Sequence, residues 1–170
     1  MSSSMPRADD SNPRRHIPAL LVSLTIAFSV AALGEIVIGP ALHGWYLMLS
    51  KPAITPPGWV FAPVWTALYV MMAVAAWLVW LQRHADPIRV RHALGLYALQ
   101  LSLNLLWSMV FFGLHSIILG QIEILLLLAA IGFTIAAFRR FSTLAAWLMA
   151  VNFLWVAFAA ALNLAFWLEN

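Results

Sequence analysis

Three apolar segments of this 170-residue chain have polar and aromatic side chains at helical spacing. Spacings of three, four and seven residues place each set on one helix face. The sets are Trp65, Tyr69 and Met72; Gln100, Asn104, Trp107 and Phe111; and Asn152, Trp155, Ala159 and Asn163. Indole and phenol rings stack on flat ligands, and a few amides among apolar groups are typical of a small-molecule pocket. For single amides such as Gln100 and Asn163, hydrogen bonding between helices is the favoured alternative.

The residue types do not predict conventional catalysis or a metal site. There is no cysteine, which excludes disulfides, thiolate metal sites and cysteine nucleophiles. Neither a glycine-rich phosphate loop nor a Ser–His–Asp arrangement is indicated. Four ionisable residues lie near one end of the apolar segments without ligand spacing inside a helix, so we predict no metal: Glu35, His43, His115 and Glu123. A proton relay through either glutamate is a minor alternative.

The elements that position these residues are predicted to be membrane helices. The composition is 64% hydrophobic and 9% charged, with a mean hydropathy of +0.93. Soluble domains are about 45–50% apolar and about 25% charged, so a soluble enzyme is excluded. A span needs about 20 apolar residues, and backbone pairing in lipid requires a helix there. The prediction is an all-α integral membrane bundle of five transmembrane helices, at about 17–38, 59–81, 93–113, 117–138 and 144–168.

Charge and composition outside the spans predict the topology. Residues 1–16 read as a polar, disordered tail, and residues 39–58 as a folded loop, because four prolines and three glycines alternate with apolar residues. Eight of the nine Lys and Arg residues fall on one side of the predicted bundle, and only Lys51 on the other. This bias predicts a cytoplasmic N-terminus and favours an inner membrane. The net charge of +3 reflects basic loops near lipid rather than nucleic-acid binding.

The tryptophans divide by depth. Those near span ends, such as Trp45 and Trp147, are assigned to the interfacial belt. Trp65, Trp107 and Trp155 lie deeper in their spans, which makes them the better candidates for lining a cavity.

A long run of motifs resembles the tryptophan-rich sensory protein family (TspO/MBR), which includes the translocator protein, formerly the peripheral benzodiazepine receptor. The motifs are Gly44-Trp45-Tyr46, Lys51-Pro52, Pro56-Pro57, VFAPVWTALY at 60–69, Tyr97, Gln100-Leu101, Leu103-Asn104, Trp107-Ser108, Phe111-Phe112, Trp155, Phe158-Ala159, Leu162-Asn163 and Asn170. They cover the chain from about Gly34 onward.

The resemblance implies a homodimeric five-helix bundle with a pocket capped by the first loop. It implies porphyrin ligands such as protoporphyrin IX or haem, with isoquinoline or benzodiazepine compounds as further ligands and no required cofactor. The implied role is receptor, transport or sensing. The alternatives are light-dependent porphyrin degradation and regulation through protein partners.

The resemblance also implies site residues, at the positions where this chain matches the motifs of the family. Tyr46, Asn104, Trp107 and Ala159 occupy pocket positions of the family. Trp65 and Trp155 occupy the two positions linked to porphyrin breakdown, so they are the catalytic candidates if the ligand is degraded. Lys51 either pairs with a propionate at the mouth or contacts only water. With Tyr69, Gln100 and Asn152 from the helix faces, these residues are the predicted ligand-binding set.

The chain departs from the family pattern in two places. Val151 and Asn152 replace a Pro-Tyr pair, which exchanges a ring for an amide beside the expected pocket. Neither Tyr nor a basic residue follows Arg140, so we predict no sterol recognition of the Tyr-to-basic kind at the end of the last span.

Overall fold

The computed structural model describes residues 16–170, so the predicted tail lies outside them except for His16. Five of its helices are long and apolar enough to cross a membrane, and the described residues contain no strand. These findings confirm the predicted all-α membrane bundle. The helices are α1 (Ile17–Leu42), the short α2 (Trp45–Met48), α3 (Phe61–Trp80), α4 (Pro87–Ser108), α5 (Ile117–Arg139) and α6 (Thr143–Glu169). A 3₁₀ turn, Gly58–Val60, precedes α3, and a π-helical turn, Met109–Gly113, follows α4.

Side-chain caps set the starts of α4, α5 and α6. The carboxylate of Asp86 accepts a hydrogen bond from the backbone N–H of Arg89 at 3.1 Å, and a proline follows at the first helical position. Ser116 and Ser142 cap α5 and α6 in the same way. Helix α4 therefore begins at Pro87 rather than near residue 93, because its first turn is polar and the apolar pattern starts later.

The five long helices form a closed ring in the order α1, α3, α6, α5, α4. Alanines such as Ala73, Ala76 and Ala145 are buried at the helix interfaces, where small side chains allow close approach. Helix α1 has the most exposed span, with 11% of its most apolar window buried against 33–39% in the other four.

Candidate ligand-binding site

The first loop packs against the end of the bundle where α5 begins and α6 ends. The indole of Trp45 stacks on the imidazole of His115, with ring centroids 4.8 Å apart. The same indole meets the edge of Phe111 at 5.5 Å. His115 has a φ of 52°, a left-handed conformation that is uncommon for residues other than glycine. The contacts with His115 and Phe111 leave the Trp45 side chain half-buried. Its assignment to the interfacial belt did not predict these contacts.

Tyr46 is the central aromatic residue of the loop. Its ring lies 5.9 Å from that of Phe112 and 5.5 Å from that of Phe166. The ammonium of Lys51 lies 5.5 Å from the centroid of the same ring, within cation–π distance. Burial raises the pKa of the Tyr46 phenol above its ordinary value, so the side chain is a neutral hydrogen-bonding group at physiological pH.

Two hydrogen bonds join this loop to the C-terminal end of α6. The backbone N–H of Ser50 donates to Oδ1 of Asn170 at 2.9 Å, and Nδ2 of Asn170 donates to the Ser50 carbonyl at 3.1 Å. The amide of Asn170 also donates to the carbonyl of Phe166 at 3.0 Å. The side chain of Asn170 therefore acts as a latch between the loop and α6.

A π-helical turn shapes the aromatic cluster beneath the loop. The N–H of Leu114 bonds to the carbonyl of Met109 at 2.9 Å, an i to i−5 pattern that inserts one extra residue into the turn. As a result, Trp107 contacts both of the following phenylalanines: it stacks on Phe111 at 5.2 Å and meets Phe112 edge-on at 5.7 Å. A regular helix would place Phe111 alone on the face of Trp107.

A second group of predicted residues lies on α3 and α4. The hydroxyl of Tyr69 donates to Oδ1 of Asn104 at 2.7 Å, and both side chains are buried. The ring of Trp65 lies 5.9 Å from that of Tyr69. Nε2 of Gln100 approaches the sulfur of Met72 at 3.6 Å.

Three of the predicted residues have buried polar atoms that make no hydrogen bond within residues 16–170. They are Oε1 of Gln100, Nε1 of Trp107 and both amide atoms of Asn152. Asn152 is fully buried, and its helix, α6, is not a neighbour of α4 in the ring. Unpaired buried amides are rare, and a ligand is one of the partners that can satisfy them.

The remaining predicted residues sit apart from these contacts. Trp155 packs against Phe61 at 6.1 Å and Phe158 at 5.5 Å, and it does not stack on Trp65. Ala159 is half-buried against the core. The structure thus gathers Tyr46, Lys51 and Trp107 into one cluster at the loop, and Trp65, Tyr69 and Asn104 into another.

Two of the phenylalanines in this cluster, Phe112 and Phe166, were not predicted to line the site, whereas Phe111 was placed on the same predicted helix face as Trp107. Phe112 and Phe166 contact Tyr46, and Phe111 also packs on Phe166 at 6.3 Å. Phenylalanine is common throughout the spans, so composition did not single them out. Two open clefts lie towards the other end of the bundle, on α1, α3, α4 and α5, away from these rings.

Comparisons with known proteins agree with this architecture. The TspO/MBR family profile matches residues 21–168. The chain is 33% identical to the tryptophan-rich protein TspO of Archaeoglobus fulgidus, over 91% of this chain and 99% of that protein. It is 34% identical to the translocator protein of Homo sapiens, over 91% and 90% respectively. It is 35% identical to the tryptophan-rich sensory protein of Cereibacter sphaeroides, over 70% and 72%.

These matches confirm the resemblance seen in the motifs, and together with the five apolar helices they show an integral membrane protein. The chain belongs to the TspO/MBR family.

Proposed function

We propose that this protein is a membrane receptor or sensor whose ligand is a porphyrin, such as protoporphyrin IX or haem, bound beneath the first loop. Membership of the TspO/MBR family supports the membrane receptor or sensory role. The observation that favours a ligand is the set of unpaired buried polar atoms on Gln100, Trp107 and Asn152. Leaving such atoms unpaired costs free energy, which a ligand with complementary groups would recover.

The chemistry of a porphyrin fits these surroundings. A flat macrocycle stacks on indole and phenol rings, which Tyr46 and Trp107 supply. Its propionates need cations, and Lys51 is exposed at the loop beside Tyr46. Binding would require separation of rings that now touch, so we propose that the Ser50–Asn170 latch opens when the ligand enters.

The test is a protoporphyrin IX titration of the purified protein, followed by quenching of tryptophan fluorescence. We expect saturable binding to the wild type, weakened severalfold by Trp107→Phe or Asn152→Leu. Trp147→Phe is the matched control, because this tryptophan is exposed on α6 and contacts none of the clustered rings. Binding that no variant weakens would place the ligand elsewhere, and the absence of saturable binding would refute the porphyrin proposal.

A second candidate function is light-dependent degradation of the bound porphyrin. The observation that favours it is the Trp65–Tyr69 pair, two oxidisable rings 5.9 Å apart beside the buried Asn104. Illumination of the complex should then remove the Soret band, form a new product and depend on Trp65 or Trp155. An unchanged spectrum after illumination would leave reversible binding as the function.

We also propose that the N-terminus is cytoplasmic, that the membrane is a bacterial inner membrane and that the protein acts as a homodimer. The orientation is supported by the arginines within residues 16–170, which all lie at the same end of the bundle: Arg83, Arg89, Arg91, Arg139 and Arg140.

The proposed homodimer is supported by the exposure of α1, which leaves a long apolar face for a second copy. Stable co-purification of another membrane protein, without porphyrin binding, would favour the regulatory alternative instead.

A further inference from the structure

A cleft of about 370 Å³ lies at the arginine-rich end of the bundle, between the first turns of α4 and the last turns of α5. It is separate from the aromatic clusters, which lie at the opposite end. Its lining includes Arg89, His92, Leu96, Phe133, Ala136 and Arg140.

The water-facing side of this cleft is positively charged. Arg89 lies in the first turn of α4, Arg140 directly follows α5, and His92 lies one turn further along α4 from Arg89. Nη1 of Arg89 lies 3.3 Å from a carboxylate oxygen of Asp86, but this pair is exposed and a guanidinium has five N–H donors. Within residues 16–170, no carboxylate lies within ion-pair distance of Arg140. The cleft therefore has spare donors for an anion.

The membrane-facing side of the same cleft is apolar. Leu96 and Ala136 line it, and Phe133 is 65% exposed. Phe133 lies six residues before the end of α5 at Arg139, about two turns deeper than Arg140. A cationic rim above an apolar wall matches a molecule with an anionic head and a hydrocarbon tail, and basic pockets between helices at a membrane surface bind such lipids.

We propose that this cleft binds an anionic phospholipid from the leaflet at this end of the bundle. The phosphate lies between Arg89 and Arg140, where charge-assisted hydrogen bonds form. One acyl chain follows Phe133 and Leu96. Free phosphate offers the same charge but leaves the apolar wall uncovered.

The test uses the purified full chain in a neutral detergent, with lipid binding counted by native mass spectrometry. The wild type should bind phosphatidylglycerol in preference to phosphatidylcholine. The double variant Arg89→Gln with Arg140→Gln should reduce phosphatidylglycerol binding at least tenfold, because it removes both guanidinium groups that donate charge-assisted hydrogen bonds to the phosphate. The control is Arg91→Gln with Arg139→Gln, which removes the same charge from neighbouring positions that do not line the cleft.

Equal losses in the two double variants would show a diffuse charge effect and overturn the proposal. Phe133→Ala should also weaken phosphatidylglycerol binding, whereas Leu126→Ala, at another exposed position of α5, should not. Unchanged phosphatidylglycerol binding by Phe133→Ala would show that the acyl chain does not lie against Phe133, which would overturn the proposed position of the lipid. Displacement of the lipid by an equal concentration of inorganic phosphate would identify the ligand as free phosphate and overturn the lipid assignment.

Discussion

Tyr69 and Tyr97 are both buried in the bundle, but their hydroxyl groups differ in hydrogen bonding. The hydroxyl of Tyr69 donates to Asn104 at 2.7 Å, whereas the buried hydroxyl of Tyr97 has no hydrogen-bond partner within residues 16–170. Removal of the first hydroxyl leaves a buried amide oxygen unpaired, and removal of the second relieves an unpaired group. We predict that Tyr69→Phe destabilises the protein by about 1–2 kcal/mol, while Tyr97→Phe is neutral or stabilising.

Thermal unfolding in detergent measures this difference, with each variant compared with the wild type under one set of conditions. Equal losses of thermal stability in Tyr69→Phe and Tyr97→Phe would contradict the prediction. They would mean that ring packing, rather than the hydrogen bond, determines the loss of stability.

Asn152 gives a prediction of opposite sign. Its amide is fully buried without a partner, so Asn152→Leu replaces it by an apolar side chain of similar size. We expect the thermal unfolding temperature of the ligand-free protein to rise. A fall would show that water pairs with the amide in the empty bundle, which would weaken its link to a porphyrin.

At the scale of elements, two glycines of α5 have contrasting surroundings. A Cβ on Gly120 would lie 3.1 Å from a ring carbon of Phe111 and 3.3 Å from Oδ1 of Asn163, whereas a Cβ on Gly132 meets nothing within 4 Å. Gly120→Ala should therefore cost about 1–3 kcal/mol, since the added methyl group must displace the Phe111 ring and the Asn163 amide from α5. Gly132→Ala should be neutral or stabilise the helix by up to about 1 kcal/mol.

Unfolding in detergent again measures the two glycine variants, and the pair shares one helix and one substitution. Similar effects in both would show that helix propensity dominates and that the contact among Gly120, Phe111 and Asn163 is loose.

The loop latch gives an element-scale prediction about motion. Asn170→Ala removes both hydrogen bonds to Ser50, each contributing about 0.5–1.5 kcal/mol. Hydrogen exchange across residues 45–57 should accelerate about tenfold, and exchange in the five long helices should not change. The control is Glu169→Ala, at the neighbouring exposed position. Unchanged exchange in Asn170→Ala would show that the aromatic contacts alone hold the loop.

Prediction from sequence succeeded where one local rule determines the structure. Long apolar runs predicted the number of membrane helices, because lipid accepts no other spanning element here. The polar start of α4 was missed, since Asp86 and Pro87 set it rather than hydropathy. The π turn that brings Phe112 onto Trp107 was also missed, because spacing within one helix gives no sign that Phe112 packs on Tyr46 of the first loop.

At the scale of the whole molecule, the proposed orientation is testable because the chain has no cysteine. Ala53 in the first loop and Ala85 between α3 and α4 are exposed and lie at opposite ends of the bundle. We predict that Ala53→Cys in intact spheroplasts reacts with a membrane-impermeant maleimide. Ala85→Cys should react only after permeabilisation. The reverse pattern would invert the proposed topology.

The ring order has a consequence for assembly during synthesis. Helix α1 packs against α3 and α4, which follow it along the chain and contact each other only weakly. Until α3 is made, α1 has none of its neighbours among the long helices and must be stable alone in lipid. Its mean hydropathy of 2.2 and its small buried fraction suit that interval. Each of the helices α4, α5 and α6 packs against the one made just before or after it, so these three can assemble as they are synthesised. Helix α3 then contacts both α1 and α6, which closes the ring.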